Sequence, residues 1–91
     1  RWADRSRYYL GRTLTQLGDR EGAWRIYEEV VARGAPTFSS EARYQLGLLA
    51  LEGGRFADAE AAFAAVAKGG ESAGLAAKAT LGRADALIRL D

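Results

Sequence analysis

Gly54-Arg55-Phe56-Ala57-Asp58-Ala59-Glu60-Ala61-Ala62-Phe63, followed by Val66, is the stretch on which the fold turns. Seven residues ahead of Gly54 stands the Gly of Leu46-Gly47, and thirty-six residues before that pair comes Leu10-Gly11. From Leu10-Gly11 the residues Gly18, Ala23, Tyr27 and Val30 lie at the same offsets as Gly54, Ala59, Phe63 and Val66 do from Leu46-Gly47. A third pair, Leu81-Gly82, follows after a further thirty-five residues. One register kept in two copies, with a third start, marks an internal repeat of supersecondary size. A plain Ala-rich helical bundle is the alternative reading, but a bundle has no need for Leu-Gly at fixed spacing.

The repeat is helical. Nineteen alanines and a single proline favour helix, and apolar residues recur at three and four, as in Leu10, Leu14 and Leu17 or Phe56, Ala59, Phe63 and Val66. Glycine and small polar residues at Gly18-Asp19, Gly34-Ala35-Pro36, Gly53-Gly54 and Gly69-Gly70 cut the chain into five segments. The spacing predicts helices near 2–17, 20–33, 39–52, 55–68 and 72–90. Asp19 is placed to cap the second, Ser39 or Thr37 the third, and Glu71 or Ser72 the fifth. Gly11, Gly47 and Gly82 fall mid-helix, where glycine costs about 1 kcal/mol against alanine, so their recurrence predicts a close approach of helix backbones. Ala23 and Ala59 then sit at the facing contact, and Tyr27 and Phe63 fill the space beside them. Gly18 and Gly54 allow the positive φ that ends each first helix.

The order Leu-Gly, turn Gly, Ala, aromatic, with Pro36 later, resembles the tetratricopeptide repeat, a helix-turn-helix unit of 34 residues. The resemblance covers the whole chain. It implies an all-α, right-handed superhelical stack of antiparallel hairpins, an α-solenoid of about 2.5 repeats and five helices in a single domain spanning 1–91. Repeat 1 runs over about 4–38, repeat 2 over about 39–74, and an extra or capping helix over about 72–91. Arg7, Arg43 and Lys78 replace the family's opening Trp, Arg20 stands where the second copy has Phe56, and the period is stretched by one or two residues. These departures resemble the longer repeats of bacterial envelope-assembly and cell-division factors of the Tol-Pal type.

In such a stack the first helices line a concave wall. Three residues before each Gly of the Leu-Gly pairs stand Tyr8, Tyr44 and Ala79, and one after stand Arg12, Leu48 and Arg83. Six before are Arg5, Glu41 and Ala76, and five after are Gln16, Glu52 and Leu87, on the same face by helical spacing. Arg and Tyr make strong anchors, and Arg grips a carboxylate bidentately. Arg5, Tyr8, Arg12, Tyr44, Leu48 and Arg83 form the expected peptide-binding groove. The plainer reading is that the tyrosines pack between helices and the arginines solvate the wall. Family members that hold a chaperone tail do so with Lys and Asn; here the matching places carry Tyr8, Arg12, Gln45, Ala76 and Thr80, which disfavours that ligand.

Composition excludes most other functions. Thirteen Lys and Arg against twelve Asp and Glu give +1, no basis for nucleic-acid binding, and no apolar run is long enough to insert in a membrane. With no Cys and no His, the commonest metal ligands, nucleophile and general base are missing. Glu28-Glu29, Asp58-Glu60 and Asp85 lie on different helices with nothing to oppose them across a substrate, and no phosphate-cradling glycine motif occurs. Trp2 and Trp24 read as packing residues. The expectation is a non-catalytic scaffold with no cofactor and no metal, binding a peptide or protein segment; a helical accessory region of a larger envelope enzyme, such as a lytic transglycosylase, is the alternative. High Arg, Ala and Gly with little Lys suggests a bacterial source, while envelope and cytoplasm stay equally open. Arg1 in place of Met points to a piece of a longer protein. Leu75, Leu81, Leu87, Ile88 and Leu90 leave an apolar face on the last helix, expected to be closed by further repeats, a partner, or a homo-oligomer.

Overall fold

The computed structural model describes residues 2–34, 36–69 and 73–90, with the side chains of residues 2, 3, 36 and 37 left aside. Among the described residues five helices follow one another: α1 (Trp2–Gln16), α2 (Arg20–Arg33), α3 (Pro36–Glu52), α4 (Phe56–Gly69) and α5 (Ala73–Leu90). Each packs chiefly on its neighbours in the chain, and α3 also meets α1 and α5, which is the contact pattern of an all-α solenoid of stacked hairpins.

The two hairpin turns are the same turn. Gly18 N–H donates to the Thr15 carbonyl at 3.1 Å and Asp19 N–H to that of Leu14 at 2.9 Å. In the second hairpin, Gly54 N–H donates to the Leu51 carbonyl at 3.2 Å and Arg55 N–H to that of Ala50 at 2.8 Å. Both glycines hold positive φ, 88° and 78°, so each turn is a Schellman closure that satisfies the last carbonyls of the first helix. Asp19 caps α2 as its position predicts, its Oδ1 accepting from Gly22 N–H at 2.9 Å.

The third helix starts earlier than the spacing predicts. Pro36 takes its first turn, where a missing N–H is harmless and φ is already suited to a helix. Ser39 and Thr37 therefore lie inside the helix rather than capping it, and Ser39 and Ser40 are buried. The expected caps Glu71 and Ser72 lie outside the described residues.

Packing explains the mid-helix glycines, with a correction to their expected role. A Cβ on Gly11 would lie 2.6 Å from Cε1 of Tyr27, and one on Gly47 would lie 2.6 Å from Cε1 of Phe63. The room left by the missing side chain is filled by a ring edge, not by a second backbone. Tyr27 and Phe63 are the largest fully buried side chains, with Ala23 and Ala59 equally buried one turn before them. The core accordingly divides in two. Tyr8, Ala23, Tyr27, Val30, Ala42, Leu46 and Leu49 form one cluster, and Ala50, Ala59, Phe63, Val66, Ala79 and Ala86 the other.

The helix α5 departs from strict repetition. On α3, Ala42, Leu46 and Leu49 turn back into the first cluster, while Tyr44 and Leu51 join the second. The equivalent residues of α5 are Ala77, Leu81 and Ala84 on one side, Ala79 and Ala86 on the other. Ala79 and Ala86 are buried in the cluster built on α4, but Leu81 is 74% exposed where Leu46 is 9%. Gly82 meets the tip of the Phe63 ring, with its Cβ position 2.7 Å from Cζ. Thus α5 docks on α4 through the face that α3 offers to its own following helix, and it is rolled about its axis relative to a regular third first-helix.

Candidate peptide-binding wall

The wall is built from α1 and α3, and most of its chemistry follows from how these two helices are held. At the start of α1, Asp4 is bonded by the Arg33 guanidinium at the end of α2. That bond, ahead of the nearby positive charges, holds the Asp4 carboxyl below its usual 3.8. Arg7 reaches Glu29 of α2 with Nε to Oε1 at 3.2 Å. The ion pairs between α1 and α2 therefore use Arg7 and Arg33, which leaves Arg5 and Arg12 on the other side of α1, both exposed.

Tyr8 is only 4% exposed. Its ring centroid lies 5.9 Å from that of Tyr27, 5.5 Å from Phe38 and 5.3 Å from Tyr9, the last edge-on. Its hydroxyl donates to Glu41 Oε1 of α3 over 3.5 Å. Burial pushes this phenol above its ordinary 10, and the Glu41 charge adds to the shift while the Gln45 side chain opposes it. Tyr8 thus serves as the floor between α1 and α3, presenting at most its oxygen edge to a ligand. Tyr44 has the same role in the second hairpin, half-buried with its ring 5.6 Å from Phe63.

Leu48 is half-buried, and with Leu51 and Glu52 of α3 and Asp85 and Arg89 of α5 it lines a cleft of about 320 Å³. Arg83 is absent from this cleft. Its Nε donates to Glu60 of α4 at 2.8 Å, a consequence of the roll of α5, which brings Asp85 and Arg89 toward α3 in its place. Asp85 and Arg89 are themselves paired at 2.9 Å. Of the six expected groove residues, Arg5 and Arg12 stand exposed on α1, Tyr8 and Tyr44 support from below, Leu48 lines the α3–α5 cleft, and Arg83 is tied to α4.

Two features are not anticipated by the sequence pattern. Tyr9 is 47% exposed, with the Arg5 guanidinium 5.8 Å from its ring centroid, so an aromatic and a cation stand together at the open edge of α1. The i, i+4 spacing of Arg5 and Tyr9 is the signal that could have revealed it. Trp24, half-buried, packs against both core clusters, and its ring carries the Arg55 guanidinium at 4.4 Å. A cleft of about 370 Å³ opens beside it, lined by Arg20, Arg25 and Leu49 as well. In the sequence that ring is legible only as a packing residue, because Arg55 belongs to the next hairpin.

Among the described residues no helix is long and apolar enough to cross a membrane, and no three acidic side chains gather where they could hold a metal ion. The tetratricopeptide repeat family model matches residues 8–73 and again residues 44–91. The second match begins thirty-six residues after the first, the interval between the first two Leu-Gly pairs. No curated protein and no solved structure matches the chain.

Proposed function

As the chain belongs to the tetratricopeptide repeat family, whose members generally mediate protein–protein interaction as non-catalytic scaffolds, we propose that it binds an extended protein segment along the α1–α3 wall. The observation that carries this reading is the charge pattern of that wall. Arg5 and Arg12 project from α1 and Arg12 makes no ion pair among the described residues, while Glu41 and Glu52 follow along α3. A partner segment with an acidic residue over α1 and a basic or apolar residue over α3 matches it, Arg12 taking the carboxylate and Leu48 the apolar group. Arg83, bonded to Glu60 of α4, stands outside this groove. The stretched period, the missing opening Trp and the Arg- and Ala-rich composition support a place among the bacterial envelope-assembly members of the family.

The test is fluorescence anisotropy with a labelled set of extended peptides in which acidic and apolar residues alternate. The R5A/R12A double variant is expected to bind at least tenfold more weakly, the equivalent of about 1.4 kcal/mol, with its helical circular dichroism unchanged. Equal binding by the variant and the parent protein, or binding lost only when Trp24 is replaced, would refute the wall as the site.

A further inference from the structure

The roll of α5 leaves a face whose residues alternate in size. At about 100° per residue, Ala77, Leu81, Ala84 and Ile88 fall within about 60° of one another around the helix. All four are exposed, Leu81 at 74% and Ile88 at 73%. On α3 the corresponding face is the one buried against another hairpin, so this surface has the composition of an interface and the exposure of none.

We propose that this face pairs with the same face of a second copy, α5 lying antiparallel to the partner's α5 across a two-fold axis. The occupant follows from the order small, large, small, large. In an antiparallel pair centred between Gly82 and Arg83, Leu81 meets the partner's Ala84 and Ala77 meets the partner's Ile88, and the two-fold repeats both contacts. Each large side chain is received over an alanine, the complementarity that close helix packing requires. The charges agree with that register. Lys78 and Asp85 flank the stripe on the same side of α5. The two-fold brings Lys78 to within about 3 Å along the axis of the partner's Asp85, at both ends of the contact, an offset that a lysine side chain spans. Lys78 makes no ion pair among the described residues, and the Asp85 carboxylate already paired to Arg89 is about half-exposed, with room for a second cation.

One helix face per copy is small beside the roughly 1,600 Å² of a standard interface. The dimer is accordingly a weak one, with a dissociation constant on the order of 100 µM. This inference does not rest on the groove of α1 and α3, although Asp85, which it uses, also lines the cleft beside Leu48.

Sedimentation equilibrium of the 91-residue chain, from about 10 µM to about 1 mM so as to bracket that constant, reads it directly. The weight-average mass should rise from the 9.8 kDa monomer toward twice that value and no further. Leu81→Glu should hold the protein monomeric throughout, with unchanged helicity because the side chain is exposed. Lys78→Glu alone should weaken association several-fold, and adding Asp85→Lys should restore it, since the exchange preserves the pair in a two-fold arrangement. The chain has no Cys, so mixing Leu81→Cys and Ala84→Cys proteins under oxidation should yield mainly the mixed disulfide. A protein still monomeric at the highest concentration, growth beyond the dimer, a dimer indifferent to Leu81→Glu, or no rescue by the charge exchange would each overturn the proposal.

Discussion

Gly47→Ala isolates the contact that sets the spacing of the second hairpin. Alanine is the better helix former by about 1 kcal/mol, so on propensity alone the change stabilises α3. The added Cβ, however, would lie 2.6 to 2.9 Å from three ring atoms of Phe63. That ring is fully buried and its tip already packs against the backbone of α5 at Gly82, which leaves it little room to retreat. Relief therefore requires α3 and α4 to separate, an overpacking cost of about 1 to 3 kcal/mol. Net destabilisation should be about 1 kcal/mol, which for a domain this size lowers Tm by roughly 4 to 8 °C. Urea titration followed by circular dichroism measures it. The decisive comparison is the same substitution made in a Phe63→Leu background, where the ring is gone and only propensity remains: there Gly47→Ala should become neutral or stabilising. A wild-type protein made more stable by Gly47→Ala, or the same penalty in both backgrounds, would show the ring-on-glycine account to be wrong.

Two smaller predictions test the helix ends. Asp19→Ala removes the acceptor for Gly22 N–H and should cost about 1 kcal/mol in urea unfolding, whereas Asp19→Asn should recover most of it. Acid should expose the Asp4 link: with its folded pKa lowered by Arg33, the carboxylate adds stability at pH above 3.8 that is lost as pH falls through the lower folded value. Between about pH 5 and pH 2 the Tm of Asp4→Asn should accordingly fall less than that of the parent protein.

The hairpins are legible in the sequence because each one is specified locally. Leu-Gly, turn glycine, alanine and aromatic all lie within about twenty residues of one another, the span of one helix-turn-helix unit, and the glycines and rings make their defining contacts inside their own hairpin. The start of α3 is less so, since Ser39 and Thr37 are good caps in isolation and Pro36 competes with them at the same end. The wall is legible only as a strip of positions. Helical spacing puts Arg5, Tyr8 and Arg12 on one face, yet whether a tyrosine on that face is floor or surface depends on Phe38 and Glu41 across the gap, which spacing within α1 does not encode. The position of Arg83 is beyond reach for a similar reason: it depends on the roll of α5, and that roll is a choice between two faces of the helix that are both apolar.

That choice has a physical basis in the residues themselves. The face of α5 carrying Ala79, Gly82 and Ala86 is made of the smallest side chains, and it lies on the bulkiest buried ring of α4, Phe63, whose tip reaches Gly82. The opposite face, with Leu81 and Ile88, corresponds to the one that α3 packs on Tyr27 and Val30, but the alternative face of α3 carries Tyr44 and Leu51, whereas that of α5 offers Ala79, Gly82 and Ala86, small enough for the Phe63 ring to nest against. Small against large therefore wins at the α4 surface, and the large residues of α5 are left to find small ones elsewhere. The same rule that seats Tyr27 on Gly11 and Phe63 on Gly47 thus fixes the roll of the last helix, removes Arg83 from the α3 side, and admits Asp85 and Arg89 to the cleft beside Leu48. A substitution that fills the small face, such as Ala79→Leu, should shift α5 toward the regular orientation and bury Leu81, which hydrogen exchange at α5 and loss of self-association would both report.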